Sequence, residues 1–127
     1  MEIHIHPAKK LSEIQEEFHK TFHWLKIEFF AKTHDTGAPS AYSLRLDPSL
    51  TVMEAGKFFD EKDMKVTGHT TVKKLETDFQ EIFGIGVQVF RRAGSSWIQT
   101  TSTDDWTLAR QNEEGHEDSK AILDKEE

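Results

Sequence analysis

From Thr71 to Thr101 the apolar positions change period once. Val72, Leu75, Phe79, Ile82 and Phe83 recur at helical spacing and share one stripe. Ile85, Val87 and Val89 then alternate with Gly86 and Gln88, the period of a half-buried strand. Ala93-Gly94-Ser95 supplies a turn, and Trp97 to Thr101 reads as a returning strand. The stretch predicts a helix feeding a hairpin, with the two glycines around Ile85 letting the helix turn tightly into the strand.

The preceding residues follow a similar order. Glu2 to His6 alternates with Ile3 and Ile5 on one face, and Pro7 ends that strand because it has no donor for a ladder. Leu11, Ile14, Phe18 and Phe22 mark a helix starting near Lys9 or Lys10. Leu25 to Phe30 is a strand with Leu25, Ile27 and Phe29 inward. Residues 33–41 read as a loop, and Tyr42, Leu44 and Leu46 as a further strand broken at Asp47-Pro48. Thr51 followed by Glu54 predicts a capping box on one short helical turn, stopped by Gly56. Lys57 to Asp63 is a charged connector in which Phe58 and Phe59 should be anchored, and Lys65 to Thr67 begins the next strand.

The two halves match. Met1 to His6 aligns with Met64 to His69, which makes His6 and His69 equivalent. Ile14, Phe18 and Phe22 align with Leu75, Phe79 and Phe83, the strand LKIEFF with IGVQVF, and Thr51-Val52 with Thr107-Leu108. The expectation is one domain over residues 1–112, made of two βαββ pseudo-repeats, 1–56 and 64–112. A unit of this kind leaves one side of its helix stripe unpartnered, so two units should share a core. Right-handed crossovers would put both helices on one face of a continuous, mostly antiparallel sheet of about six strands. The fold class is therefore α+β, a two-layer α/β sandwich related by element order to the ferredoxin-like plan. Residues 113–127 read as a charged, flexible tail with Ile122 and Leu123 as its one apolar pair.

Composition narrows the function classes. Only 35% of residues are apolar and 31% are charged, offset by nine Phe and three Trp. The formal charge of -7 argues against a nucleic-acid partner, which needs a basic face to replace phosphate counterions. With no cysteine, disulfides, thiol nucleophiles and thiolate metal sites are excluded. No stretch has the length of a membrane span, and a cytoplasmic location is the default expectation.

Reactive constellations are sparse. His4 and His6 on one strand, and His19 and His23 on one helix, have spacings that suit a metal, yet no third ligand accompanies either pair. No metal or other cofactor is therefore expected. Asp104 and Asp105 beside Trp106 are the one place where an apolar environment would raise a carboxyl pKa for catalysis. Arg91 and Arg92 are weak anion-binding candidates. The sharper feature is aromatic: Phe30 and Phe90 fall on the sheet face away from the helices, joined by Trp97, with Trp106 nearby. Such a patch needs a cover. A homodimer face is favoured over a peptide or small-ligand site, and over the chain's own tail. The expectation is a non-enzymatic protein acting through protein contact or self-association. The alternative is a small-ligand or small-molecule enzyme site between the halves near Asp104 and Asp105.

Overall fold

The computed structural model describes residues 1–31 and 44–126, with side chains to residue 121. The loop expected over 33–41 and Tyr42 of the expected strand lie outside the described residues. Among these residues five strands and four α-helices follow in the order β1 (Glu2–Ile5), α1 (Leu11–Thr21), β2 (Leu25–Ala31), α2 (Val52–Gly56), β3 (Lys62–Lys65), α3 (Val72–Asp78), β4 (Ile85–Ala93), β5 (Ser96–Gln99) and α4 (Leu108–Glu126). A π-helical turn, Phe79–Phe83, extends α3, and a 3-10 turn, Thr101–Thr103, follows β5.

The architecture is mixed α+β, with helices packed against mostly antiparallel sheet. Its strands divide between two sheets among the described residues, so the expected continuous six-stranded sheet is corrected. The corresponding strands of the two halves pair with each other. β1 lies antiparallel to β3 with Ile3 opposite Met64, and β2 lies antiparallel to β4 with Glu28 opposite Gln88. β5 adds to the far side of β4. Each half therefore pairs its principal strands with those of the other half, and among the described residues no strand joins the two sheets.

One apolar cluster holds the inward faces together. Ile3 and Ile5 meet Met64 and Val66, the α1 stripe of Leu11, Ile14 and Phe18, the α3 stripe of Val72, Leu75, Phe79 and Phe83, and the inward residues of β2 and β4. Burying stripes and alternate strand positions in this way is what the helical and two-residue periods require.

A set of backbone hydrogen bonds occurs twice. Leu11 N–H donates to Leu50 O and Val72 N–H to Trp106 O; Val52 N–H donates to Lys9 O and Leu108 N–H to Thr70 O. Ser12 to Pro48 is matched by Lys73 to Asp104, and Met53 to Pro7 by Ala109 to Gly68. Lys9 N–H donates to His6 O, and Thr70 N–H to Thr67 O, both at 3.1 Å. His6 therefore corresponds to Thr67, and its expected equivalence with His69 is corrected. The helix starts agree as well: the hydroxyls of Thr51 and Thr107 accept from Glu54 N–H and Arg110 N–H, each at 3.2 Å.

Gly84 turns the α3 extension into β4 at φ 69°, a left-handed conformation that glycine adopts at no steric cost. At the end of α2 the left-handed residue is Lys57, not Gly56. Gly56 is needed for a different reason, since a Cβ there would lie 2.0 Å from Phe83 O.

The largest departure is the expected flexible tail. Glu113 to Lys120 continues α4, which lies against β4 and the start of β2. Its buried face is Leu108, Gln111, Gly115 and Ser119, which is helical spacing with mostly polar or small residues. Hydrogen bonds do the docking. Asn112 Oδ1 accepts from Trp24 N–H at 2.8 Å, Ser119 Oγ from Gly94 N–H at 3.1 Å, and Gln111 Oε1 from Arg91 Nη1 at 2.8 Å. Counting apolar residues misses such a helix.

Candidate functional site: a groove beside β2

Among the described residues β2 lies at the edge of its sheet, bridged there by Arg45 opposite Phe30, and its outward carbonyls nearer its start are met by side chains of α1. Gln15 Nε2 donates to Ile27 O at 3.0 Å and His19 Nδ1 donates to Leu25 O at 2.8 Å. Further along, Leu46 N–H donates to Phe29 O at 2.8 Å. These bonds blunt an edge that would otherwise template another strand. A Nδ1 that donates to a carbonyl leaves Nε2 of a neutral His19 as acceptor.

Beside this edge lies a groove of about 450 Å³. α1 contributes Gln15 and His19, β2 contributes Lys26 and Glu28, and Pro48 and Trp97 complete the lining. Trp97 belongs to β5, two strands away, and arrives by lying across the outer face. Its ring is 5.1 Å from Lys26 Nζ and 5.2 Å from the Arg92 guanidinium carbon, with the His19 ring edge-on at 6.4 Å. Glu28 Oε1 accepts from Arg45 Nη1 at 3.2 Å, with Lys26 Nζ at 3.7 Å. Glu28 Oε2 is buried and has no hydrogen-bond partner among the described residues. A buried acceptor without a donor carries a desolvation cost, and this atom lies in the groove wall.

The expected site residues separate. Phe30 and Phe90 share the outer face with Lys26 and Trp97, but they are only 1% and 4% exposed. Lys26 Nζ lies 5.3 Å from the Phe90 ring, so a cation of the same chain sits over it. The exposed aromatic patch is thus corrected to a covered one. Trp106 lies elsewhere, with the Arg110 guanidinium 3.7 Å and the Arg91 guanidinium 5.7 Å from its ring. The tail does not cross the outer face but docks at Trp24 and Arg91.

Arg91 and Arg92 are neighbours in a strand and point to opposite faces, so they form no joint anion site. Arg91 is held by Gln111, and Arg92 Nε donates to Gly94 O at 2.6 Å. His4 Nδ1 meets Asp63 Oδ1 at 2.6 Å on the exposed face of β1, beside His6, whereas His19 is at the groove and His23 is exposed. No group of three or more His, Asp or Glu placed to hold a metal occurs among the described residues. Asp105 is exposed, and Asp104 accepts through its backbone from Lys73 N–H at 2.7 Å.

Sequence reasoning missed Glu76, a buried acid on α3. Burial pushes its carboxyl up to about 7; a bond from Val89 N–H opposes this and the nearby Asp104 carboxylate adds to it. The signal was present: Glu76 is four residues after Val72 and three before Phe79, and so falls within the apolar stripe.

No protein-family model, curated protein or solved structure matches the chain. No described helix is long and apolar enough to cross a membrane.

Proposed function

We propose that the protein is a non-enzymatic binding module that takes a small, flat ligand carrying an N–H donor into the groove beside Trp97. The observation that carries this is Glu28 Oε2, a buried acceptor without a donor in the wall of a cavity of ligand size. Trp97 and Pro48 offer flat apolar surface, and an amide or amidinium would complete the carboxylate. Binding is favoured over self-association because Phe30 and Phe90, the residues expected to form a dimer face, are buried. We further infer that residues 1–56 and 64–112 derive from one unit, which the twice-occurring hydrogen bonds support.

Three probes of one shape test the reading: benzamide, benzamidine and benzoate. Benzamide and benzamidine should shift the Trp97 indole and Glu28 amide resonances in ¹H–¹⁵N spectra, and benzoate should not, because it has no donor for Oε2. Glu28→Gln should weaken the two donors about tenfold, the scale of a hydrogen bond to a charged group. Preference for benzoate, or shifts unaffected by the substitution, would remove the reading.

A further inference from the structure

Two of the three strand ladders among the described residues, β1 with β3 and β2 with β4, join residues 1–58 to residues 62–127. One apolar cluster takes side chains from both parts. The amino terminus donates to Val66 O at 2.9 Å, Arg92 N–H to Trp24 O at 2.9 Å, and Trp24 N–H to Asn112 Oδ1 at 2.8 Å. The covalent link between the parts is short by comparison. α2 ends at Gly56, the chain turns at left-handed Lys57, and Phe58 stands edge-on to Phe83 with ring centroids 4.8 Å apart. β3 begins at Lys62, so Phe59, Asp60 and Glu61, all exposed, make the crossing. They bend at Asp60, whose Oδ1 accepts from Glu61 N–H at 2.8 Å. This closure leaves Phe59 73% exposed, more than any other large apolar side chain described.

We propose that the chain forms an exchanged dimer with a second copy of itself, in which β3 to α4 of each copy fold onto β1 to α2 of the other and residues 59–61 are the hinge. The contacts between the two parts become intermolecular and are otherwise unchanged, so the exchange asks nothing new of the core. What differs is the connector. A short loop that must bend to bring its own strand home is released when it runs straight into a partner.

Two-fold symmetry makes the straightened connectors run antiparallel past each other. Centred on Phe59, that arrangement brings the two Phe59 rings together and removes from water the apolar surface that the closed form exposes. It also sets Glu61 of one connector near Lys57 of the other, an acid against a base. The Phe30 and Phe90 face takes no part. The groove beside β2 forms as before, but its walls come from two copies, α1 and β2 from one and Trp97 from the other.

The test uses the whole chain carrying Glu2→Cys and Lys65→Cys, exposed ladder partners in a protein with no cysteine of its own. Directly opposed antiparallel residues lie within disulfide reach, so the bond forms inside one chain in the closed form and between chains in the exchanged one. Refolded at micromolar concentration and oxidised, the protein should run as a monomer on a denaturing gel without reductant. Refolded at millimolar concentration, it should give a covalent dimer, and light scattering on the native sample should report twice the mass. Phe59→Ser should weaken that dimer about tenfold or more, the scale of a phenylalanine returned to water. Deleting Asp60 and Glu61 should make the dimer the main species even at micromolar concentration, and inserting Gly-Gly-Ser after Asp60 should abolish it. A dimer whose disulfides lie within each chain is a side-by-side association and overturns the exchange. So does a chain with its native connector that stays monomeric at millimolar concentration, whatever the deletion does.

Discussion

A glutamate carboxyl normally titrates near 4.5, and in the folded chain Glu76 is pushed up to about 7. Between these values the folded protein holds a proton that the unfolded chain has released. The favourable contribution is fully present below pH 4.5 and is gone once pH passes about 7, so stability falls with rising pH across that window and is flat above it. At about 1.4 kcal/mol per pH unit the total is about 3 kcal/mol, and burial leaves little solvent screening to reduce it. Glu76→Gln should erase this slope and exceed the native chain by up to about 3 kcal/mol at pH 8. Urea denaturation between pH 4.5 and 8 reads it directly, and parallel curves for the two proteins would contradict the assignment. The acid was legible in principle, because its helical position falls between Val72 and Phe79. Its partner Asp104 was not, since nothing in the order of residues brings position 104 to the inner side of α3.

At the scale of elements, legibility followed apolar periodicity. α1, β2 and β4 were readable because each sets large apolar residues at one period against polar ones. α4 was not, because the face it buries is Gln111, Gly115 and Ser119, and the affinity lies in hydrogen bonds to Arg91, Thr103 and Gly94. Trp24 also depends on it, capped by Asn112 and stacked on His116 with ring centroids 4.9 Å apart. Ending the chain after Asn112 removes Ser119, Asp118 and His116 while keeping the Gln111 contacts. This should lower stability by about 2 kcal/mol, the sum of one buried backbone donor left unpaired and a partly uncovered tryptophan. Differential scanning calorimetry of the shortened chain measures the loss. An unchanged transition would return residues 113–127 to the status of a free tail.

The groove belongs to the molecule rather than to any element, which is why no local pattern revealed it. Trp97 meets Lys26 of β2 across β4, a relation set by sheet order rather than by neighbouring residues. The same order decides how the chain holds together. β1 has its ladder partner in β3 and β2 has its partner in β4, so each pairing joins residues of one half to residues of the other. A half on its own exposes both edges and one side of its helix stripe, and such edges are not stable in water. Residues 1–60 and 61–127, made as separate chains, should therefore show no cooperative melt as monomers. Mixed in equal amounts, they should recover the circular dichroism and the thermal transition of the intact protein. Residues 1–60 have one further option, which is to pair with a second copy of themselves, β1 on β1 and β2 on β2. A folded dimer of that fragment fits the duplicated plan, whereas a folded monomer would mean that the ladders between the halves are not what holds the protein together.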